Sequence, residues 1–211
     1  MKKFELTNEF ITNMFGTKLF RIRALVEFGD VEAGELGGYV EKESNLGHDD
    51  NAWVYGNARV YGDAQVSGDA LVYDNARVYG NARVYGDAQV SGDALVYGNA
   101  WVYGDAQVSG DARVYGNARV CGDARVCGNG DYAYAHGFGS VNRTTTFFRL
   151  KDGGVGVRCG CFYGTLAQFR DKIRETHGET KKAQEYLMLA DLMELRFEED
   201  ENEVGNRKYV E

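Results

Sequence analysis

From Asn51 to Gly128 the apolar positions recur on a six-residue cycle: a small apolar residue, a variable one, a branched apolar one, then an aromatic or small polar residue. The cycle is [Asn/Asp]-Ala-x-Val-[Tyr/Ser/Cys]-Gly, and it runs thirteen times without a gap, from NAWVYG to DARVCG. Within each unit Ala-x-Val-Tyr alternates with the two-residue period of a short strand, placing Ala and Val on one face. Gly followed by Asn or Asp supplies a corner, because these residues tolerate positive φ and bond their own backbone. Twelve of the thirteen closing positions are Gly and the other is Asp74, from a class enriched in the left-handed region. So short a period over so many copies gives every unit nearly the same surroundings, which predicts a solenoid. Three units per coil would stack residues eighteen apart at about 4.8 Å, giving a little over four coils.

The repeat is similar to that of the hexapeptide-repeat proteins. That resemblance implies a triangular, single-stranded parallel β-helix with three hexapeptides per coil. It also implies a left-handed coil, against the general right-handed preference of parallel crossovers.

The flanks predict different elements. Residues 1–50 read as an N-terminal β cap: Phe4 to Leu6 and Leu19 to Phe28 are strand-like, with a polar turn around Thr12 to Thr17. The segment up to Gly47 has glycine corners but leaves the hexapeptide register, since Val40 lies fourteen residues before Val54. Residues 51–140 form the shaft, whose repeat decays through NGDYAY and AHGFGS. Residues 141–200 predict a β-hairpin, Thr144 to Leu150 and Val155 to Phe162 around Lys151-Asp152-Gly153-Gly154, followed by two α-helices. The first helix opens on the capping box Thr165/Gln168 and stops at Gly178. The second starts near Thr180 and carries an apolar stripe of Ala183, Tyr186, Leu187, Ala190, Met193 and Phe197. Residues 201–211 read as an acidic tail, with the acidic run beginning at Glu198. The segments before and after the repeat, RIRALVEFGDVEAGELGGYVEKESNLG and CGCFYGTLAQFRDKIRETHG, resemble a group of uncharacterised hexapeptide-repeat proteins of bacteriophages and mobile elements. This implies a phage-like origin and carries no activity.

Charge sharpens the reading. The chain has a net charge of −8, but the thirteen units hold six basic and eight acidic side chains, so the shaft is nearly neutral and does not imitate DNA. The absence of a signal peptide or an apolar run long enough to span a membrane predicts a cytoplasmic protein. Its four cysteines then read as reduced thiols. Cys121 and Cys127 are six apart and fall on adjacent sides of the triangle. Cys159 and Cys161 share one face of a strand, and no CxxC spacing marks a zinc site.

Most hexapeptide-repeat enzymes are acyltransferases that use a histidine as general base, and a smaller group are carbonic anhydrases with a metal on three histidines. Here His48, His136 and His177 all lie outside the thirteen units, and neither a nucleophile motif nor a phosphate loop is present. The expectation is a non-enzyme with no cofactor and no metal.

The outward positions form three rows. One stacks Tyr61, Tyr79, Tyr97 and Tyr115 beside Arg59, Arg77, Leu95 and Arg113. A second sets Trp101 between Arg83 and Arg119. A third places Trp53 and Tyr55 beside Leu71 and Tyr73 as an apolar patch. Such rows are ladders that stabilise a sheet, and Tyr, Trp and Arg are also the residues that dominate binding at interfaces. The candidate interaction surface is therefore Trp53, Tyr55, Leu71, Tyr73, Arg77, Tyr79, Tyr97, Trp101, Arg113 and Tyr115. The run NARVYG-DAQVSG-DALVY at Asn57 recurs at Asn81, a shift of four units that moves each element to another side of the triangle. The shaft then reads as a spacer, and the non-repeating ends as the better place for a specific interface.

The expected function is that of a phage-like interaction protein that binds and inhibits or modulates a host macromolecule, such as a component of a nuclease defence system. The expected partner is a host protein or complex. The alternatives are an acyltransferase with His136 as base, a nucleotide or nucleic-acid binder through Arg77, Tyr79 and Arg113, and a self-assembling structural element. A dimer or trimer is compatible with each reading, and no membrane partner is expected.

Overall fold

The computed structural model describes residues 2–139 and 141–198. Of the predicted acidic run only Glu198 is among them; the rest of that run and the tail lie outside the described residues. Each hexapeptide contributes one strand of two or three residues, from β4 (Trp53–Val54) to β16 (Arg125–Val126). Every third strand pairs in parallel, so residues eighteen apart face each other. Arg59, Arg77, Leu95 and Arg113 share one register, Gln65, Arg83, Trp101 and Arg119 a second, and Trp53, Leu71, Gln89, Gln107 and Arg125 the third. The Ala and Val of every unit are buried inside the triangle. Their backbones bond to the next coil, as Arg77 N does to Ala94 O (2.9 Å) and Tyr79 N to Val96 O (3.0 Å).

The corners are glycine because two constraints coincide there. Gly68 has φ +68°, and a Cβ on it would stand 2.8 Å from the backbone nitrogen of Gly86 in the next coil. Asp74, at φ 58°, adopts the same left-handed conformation, and its carboxylate accepts a bond from Gly92 N at 3.0 Å.

A hairpin of β1 (Phe4–Thr12) and β2 (Lys18–Ala24) covers the N-terminal end. Its first strand is longer than predicted and its second shorter. Asn13 holds the turn by accepting from Phe15 N (2.9 Å) and Thr17 N (3.0 Å). Strand β2 then pairs antiparallel with β3 (Leu36–Val40), which itself runs parallel to the Arg59–Val60 strand. This segment is closer to register than its sequence suggests. Val40 pairs with Val60 and Leu46 bridges Val66, so a coil of twenty residues precedes the coils of eighteen. The step from Val40 to Leu46 is already six and the step from Leu46 to Val54 is eight, so the two extra residues fall between Leu46 and Val54.

At the other end four strands form an antiparallel sheet in sequence order: β17 (Tyr132–Phe138), β18 (Arg143–Arg149), β19 (Val155–Cys159) and β20 (Phe162–Thr165). The predicted hairpin is the middle of this sheet. Tyr132–Phe138, expected to be decaying repeat, is instead the first strand of the terminal module, because β18 offers it a full antiparallel partner. The last coil is closed by Ala124 bridging Leu150, by Lys151 N donating to Asp123 O (3.0 Å) and by Arg119 N donating to Thr146 Oγ1 (2.9 Å). Phe148 then points into the shaft core and its neighbour Phe147 into a second core beneath the helices, so one strand joins both.

Helix α1 (Leu166–His177) begins with the predicted capping box, and α2 (Lys181–Phe197) with the predicted Thr180 cap. Ala183, Tyr186, Ala190, Met193 and Phe197 of α2 are buried against the sheet and α1. Met188, Leu192 and Leu195 are 71, 54 and 68% exposed. Each lies two residues beyond a buried one, about 200° around the helix, so α2 is apolar on two opposite faces. Among the described residues no helix is long and apolar enough to cross a membrane.

Candidate interaction site

The three predicted rows are present, with unequal access to a partner. Tyr61, Tyr79 and Tyr97 stack with centroids 5.0 Å apart and planes 2° from parallel, and Tyr115 continues the row at 5.3 Å. Their ring faces are therefore occupied by one another. Burial raises the Tyr61 and Tyr79 hydroxyls above the usual phenol range. Trp101 lies between the guanidinium groups of Arg83 (5.2 Å) and Arg119 (4.8 Å). Tyr85 and Tyr103 form a further ladder at 4.9 Å that ends on the buried thiol of Cys121. The spacing of Tyr85 and Tyr103, eighteen residues, was the signal for it in the sequence.

The third row differs from expectation. Trp53 leaves the coil outward, as its position in the unit requires, but it is fully buried, covered by Phe4 and Phe28 at 6.2 and 5.3 Å between centroids. The predicted apolar patch thus belongs largely to the cap. Tyr55 and Leu71 are partly buried against the same core, and Tyr73 Oη donates to Gln89 Oε1 at 3.3 Å. Beside Trp53, Lys3 is buried; its ammonium donates to the carbonyls of Asp50 and Ala52, and burial lowers its pKa to about 8.

Where the shaft meets the terminal sheet, the tyrosine row opens into a groove of about 650 Å³. Tyr97, Arg113 and Tyr115 reach it from the predicted row. Tyr132, Tyr134, Asn129 and Arg196 join them from the terminal module. Tyr134 ends the ladder by turning edge-on to Tyr115, at 5.9 Å and 85°, above Gly116, where any side chain would clash with its hydroxyl. Arg113 is held by its backbone: its N–H donates to Asn129 Oδ1 at 2.9 Å, and its carbonyl accepts from the Tyr132 hydroxyl. Its guanidinium has no carboxylate partner among the described residues. Arg196, one position beyond the exposed Leu195, reaches the opposite side of Asn129, donating to its carbonyl at 3.5 Å. The result is an aromatic groove with two guanidinium groups. Of the ten predicted residues only Tyr97, Arg113 and Tyr115 meet there; Arg77, Tyr79 and Trp101 remain on the open shaft.

The histidines do not gather. His48 stacks on Phe4 (4.4 Å), accepts the Lys3 N–H on Nδ1 (3.2 Å) and faces Glu43 with Nε2 (3.0 Å), so both ring nitrogens are engaged. His136 contacts Thr144 Oγ1 at 2.9 Å on an exposed strand. His177 stacks near Tyr186 at 5.9 Å at the end of α1. The four cysteines are free thiols. Cys161, expected beside Cys159 on one strand face, sits in the two-residue turn between β19 and β20, since Cys159 pairs directly with Phe162. Among the described residues no three His, Cys, Asp or Glu side chains are grouped to hold a metal ion.

Compared with protein-family models, the chain matches the one described as the YdcK beta solenoid repeat, over residues 52–68, 64–77, 76–90, 88–104 and 106–122. A search of curated proteins returns no match. All matched segments lie within the hexapeptide shaft, where the strands stack every eighteen residues, so the shaft is a β-solenoid repeat.

Proposed function

We propose that this protein is a non-catalytic binding scaffold of the bacterial cytoplasm, in which the solenoid spaces two end modules. The groove between shaft and terminal module is its recognition site for a host protein. The observation that carries this reading is the convergence, where the tyrosine row meets the terminal module, of four tyrosines with Arg196 and with Arg113, which has no carboxylate partner among the described residues. Tyrosine and arginine are the side chains that most often anchor protein interfaces, and an aromatic groove with two guanidinium groups fits a partner that presents apolar residues beside acidic ones. The phage-like flanks favour a host component, such as one of a nuclease defence system. The engagement of His48 and the scatter of all three histidines support a binding role over acyl transfer.

Recognition of single-stranded nucleic acid is less well supported. A base intercalated between two tyrosines would need ring planes separated by about two base thicknesses, roughly 7 Å, whereas the ladder rings stand 5.0 Å apart. End-to-end self-assembly is opposed by the closure of the last coil described above.

The test is capture from a bacterial lysate by the immobilised full chain, compared with Arg113→Glu/Tyr115→Ala and with Arg125→Glu on another side of the shaft. The expected result is a partner retained by the wild type and Arg125→Glu and lost by the groove variant. Equal recovery with all three, or none with any, would overturn the proposal.

A further inference from the structure

The terminal module contains a second, smaller cavity of about 260 Å³ between its sheet and α1. Its walls are apolar and aromatic: Phe162 and Phe169 meet at 5.4 Å, Phe169 and Tyr186 at 5.8 Å, and Ile173 completes the floor. Arg143, Lys172 and His177 also line it, and among the described residues no Asp or Glu does. In a chain with 32 acidic side chains and a net charge of −8, the sign of this cavity is opposite to that of the molecule.

The helix dipole accounts for part of that charge. Lys172 and His177 lie on the C-terminal half of α1, where cations are favoured, and Lys172 pairs with Glu175 at 2.8 Å on the surface. Arg143 has no such explanation. It is the first residue of β18 and has no carboxylate partner among the described residues. Its guanidinium lies over Gly160, at φ +58°, where any side chain would collide with it. The turn between β19 and β20 is thus shaped to let a guanidinium lie at the mouth of an aromatic cavity. At roughly 20–30 Å³ per non-hydrogen atom the space admits about ten atoms.

We propose that this cavity binds a small monocarboxylate with an aromatic or apolar body. Its carboxylate pairs with the Arg143 fork, and its body lies against Phe162, Phe169 and Tyr186. The site is separate from the groove and does not depend on the reading given to that groove. Both Cys159 and Cys161 line the cavity, the Cys159 thiol accepting from Thr145 Oγ1 at 3.2 Å and Cys161 lying exposed in the turn.

Phenylacetate, which has the required size and charge, is the probe, with phenylacetamide as its uncharged isostere. In a titration of the isotope-labelled full chain followed by NMR to about 10 mM, a range that covers fragment affinities, phenylacetate is expected to shift the amides around Arg143, Cys159, Lys172 and Tyr186. Phenylacetamide is expected to bind at least about tenfold more weakly. Arg143→Gln, which alters an exposed side chain with no hydrogen bond or ion pair among the described residues, is expected to keep the wild-type spectrum and to bind both probes equally weakly. Absence of shifts with phenylacetate, equal affinity for acid and amide in the wild type, or full acid affinity in Arg143→Gln would each overturn the proposal.

Discussion

Asp74 shows how one residue can replace the glycine that every other corner uses. A non-glycine residue in the left-handed region costs about 1–2 kcal/mol, and Asp74 occupies that region at φ 58°. Its carboxylate offsets that cost by accepting from Gly92 N in the next coil at 3.0 Å, a bond to an ionised acceptor worth about 1.5–3 kcal/mol. Asp74→Gly removes strain and bond together and is expected to change stability by no more than about 1 kcal/mol. Asp74→Ala keeps the strain and loses the bond, so it is expected to be at least about 1 kcal/mol less stable than Asp74→Gly. Urea unfolding of the three proteins measures the differences; an alanine variant as stable as the wild type would show that the carboxylate contributes nothing at this corner, and one as stable as the glycine variant that the corner carries no strain.

At the scale of the element, the tyrosine row separates a structural role from a binding one along a single ladder. Tyr79 stacks on both neighbours at 5.0 Å, whereas Tyr115 stacks on one face and meets Tyr134 edge-on in the groove. At about 0.2–1 kcal/mol per cross-strand pair, Tyr79→Ala is expected to cost about 0.5–2 kcal/mol of stability with no loss of partner capture. Tyr115→Ala is expected to cost less stability and to weaken capture. If Tyr79→Ala abolished capture at unchanged stability, the middle of the shaft and not its end would be the contact surface.

The same ladder marks where the sequence is legible. A hexapeptide contains its own strand, corner and core residue, so the coils, their eighteen-residue register and the Arg83–Trp101–Arg119 stack follow from spacing alone. Trp53 does not, because what buries it is Phe4, forty-nine positions earlier, and Phe28, brought over it by the cap. Tyr132 and Tyr134 escape for a related reason. They continue the aromatic alternation of the repeat but pair with β18, a strand that follows them in the chain. Half of the groove was visible as a row, and the half that closes it depends on tertiary pairing.

For the whole molecule, burial of tyrosines along the shaft and at its closed end couples stability to alkaline pH. Burial is the leading cause that raises the hydroxyls of Tyr55, Tyr61, Tyr79, Tyr85, Tyr103, Tyr132 and Tyr163 above the unperturbed value of about 10. Below that value folded and unfolded chains hold the same phenolic protons, so these groups leave stability unchanged. Above it the unfolded chain releases protons that the folded chain keeps, and stability falls as pH rises. Lys3 acts in the opposite sense. With its folded pKa lowered to about 8, the folded chain releases a proton that the unfolded chain holds until about 10.5, so between those values stability rises with pH. Seven tyrosines outweigh one lysine once pH passes about 10. The melting temperature is therefore expected to be level or slightly rising from about pH 8 to 10 and to drop steeply beyond. The Lys3→Met variant should lose the slight rise and retain the drop. A melting temperature that stays level well above pH 10 would mean that burial does not hold these seven hydroxyls above their unperturbed value and that the ladder is open to solvent along the shaft.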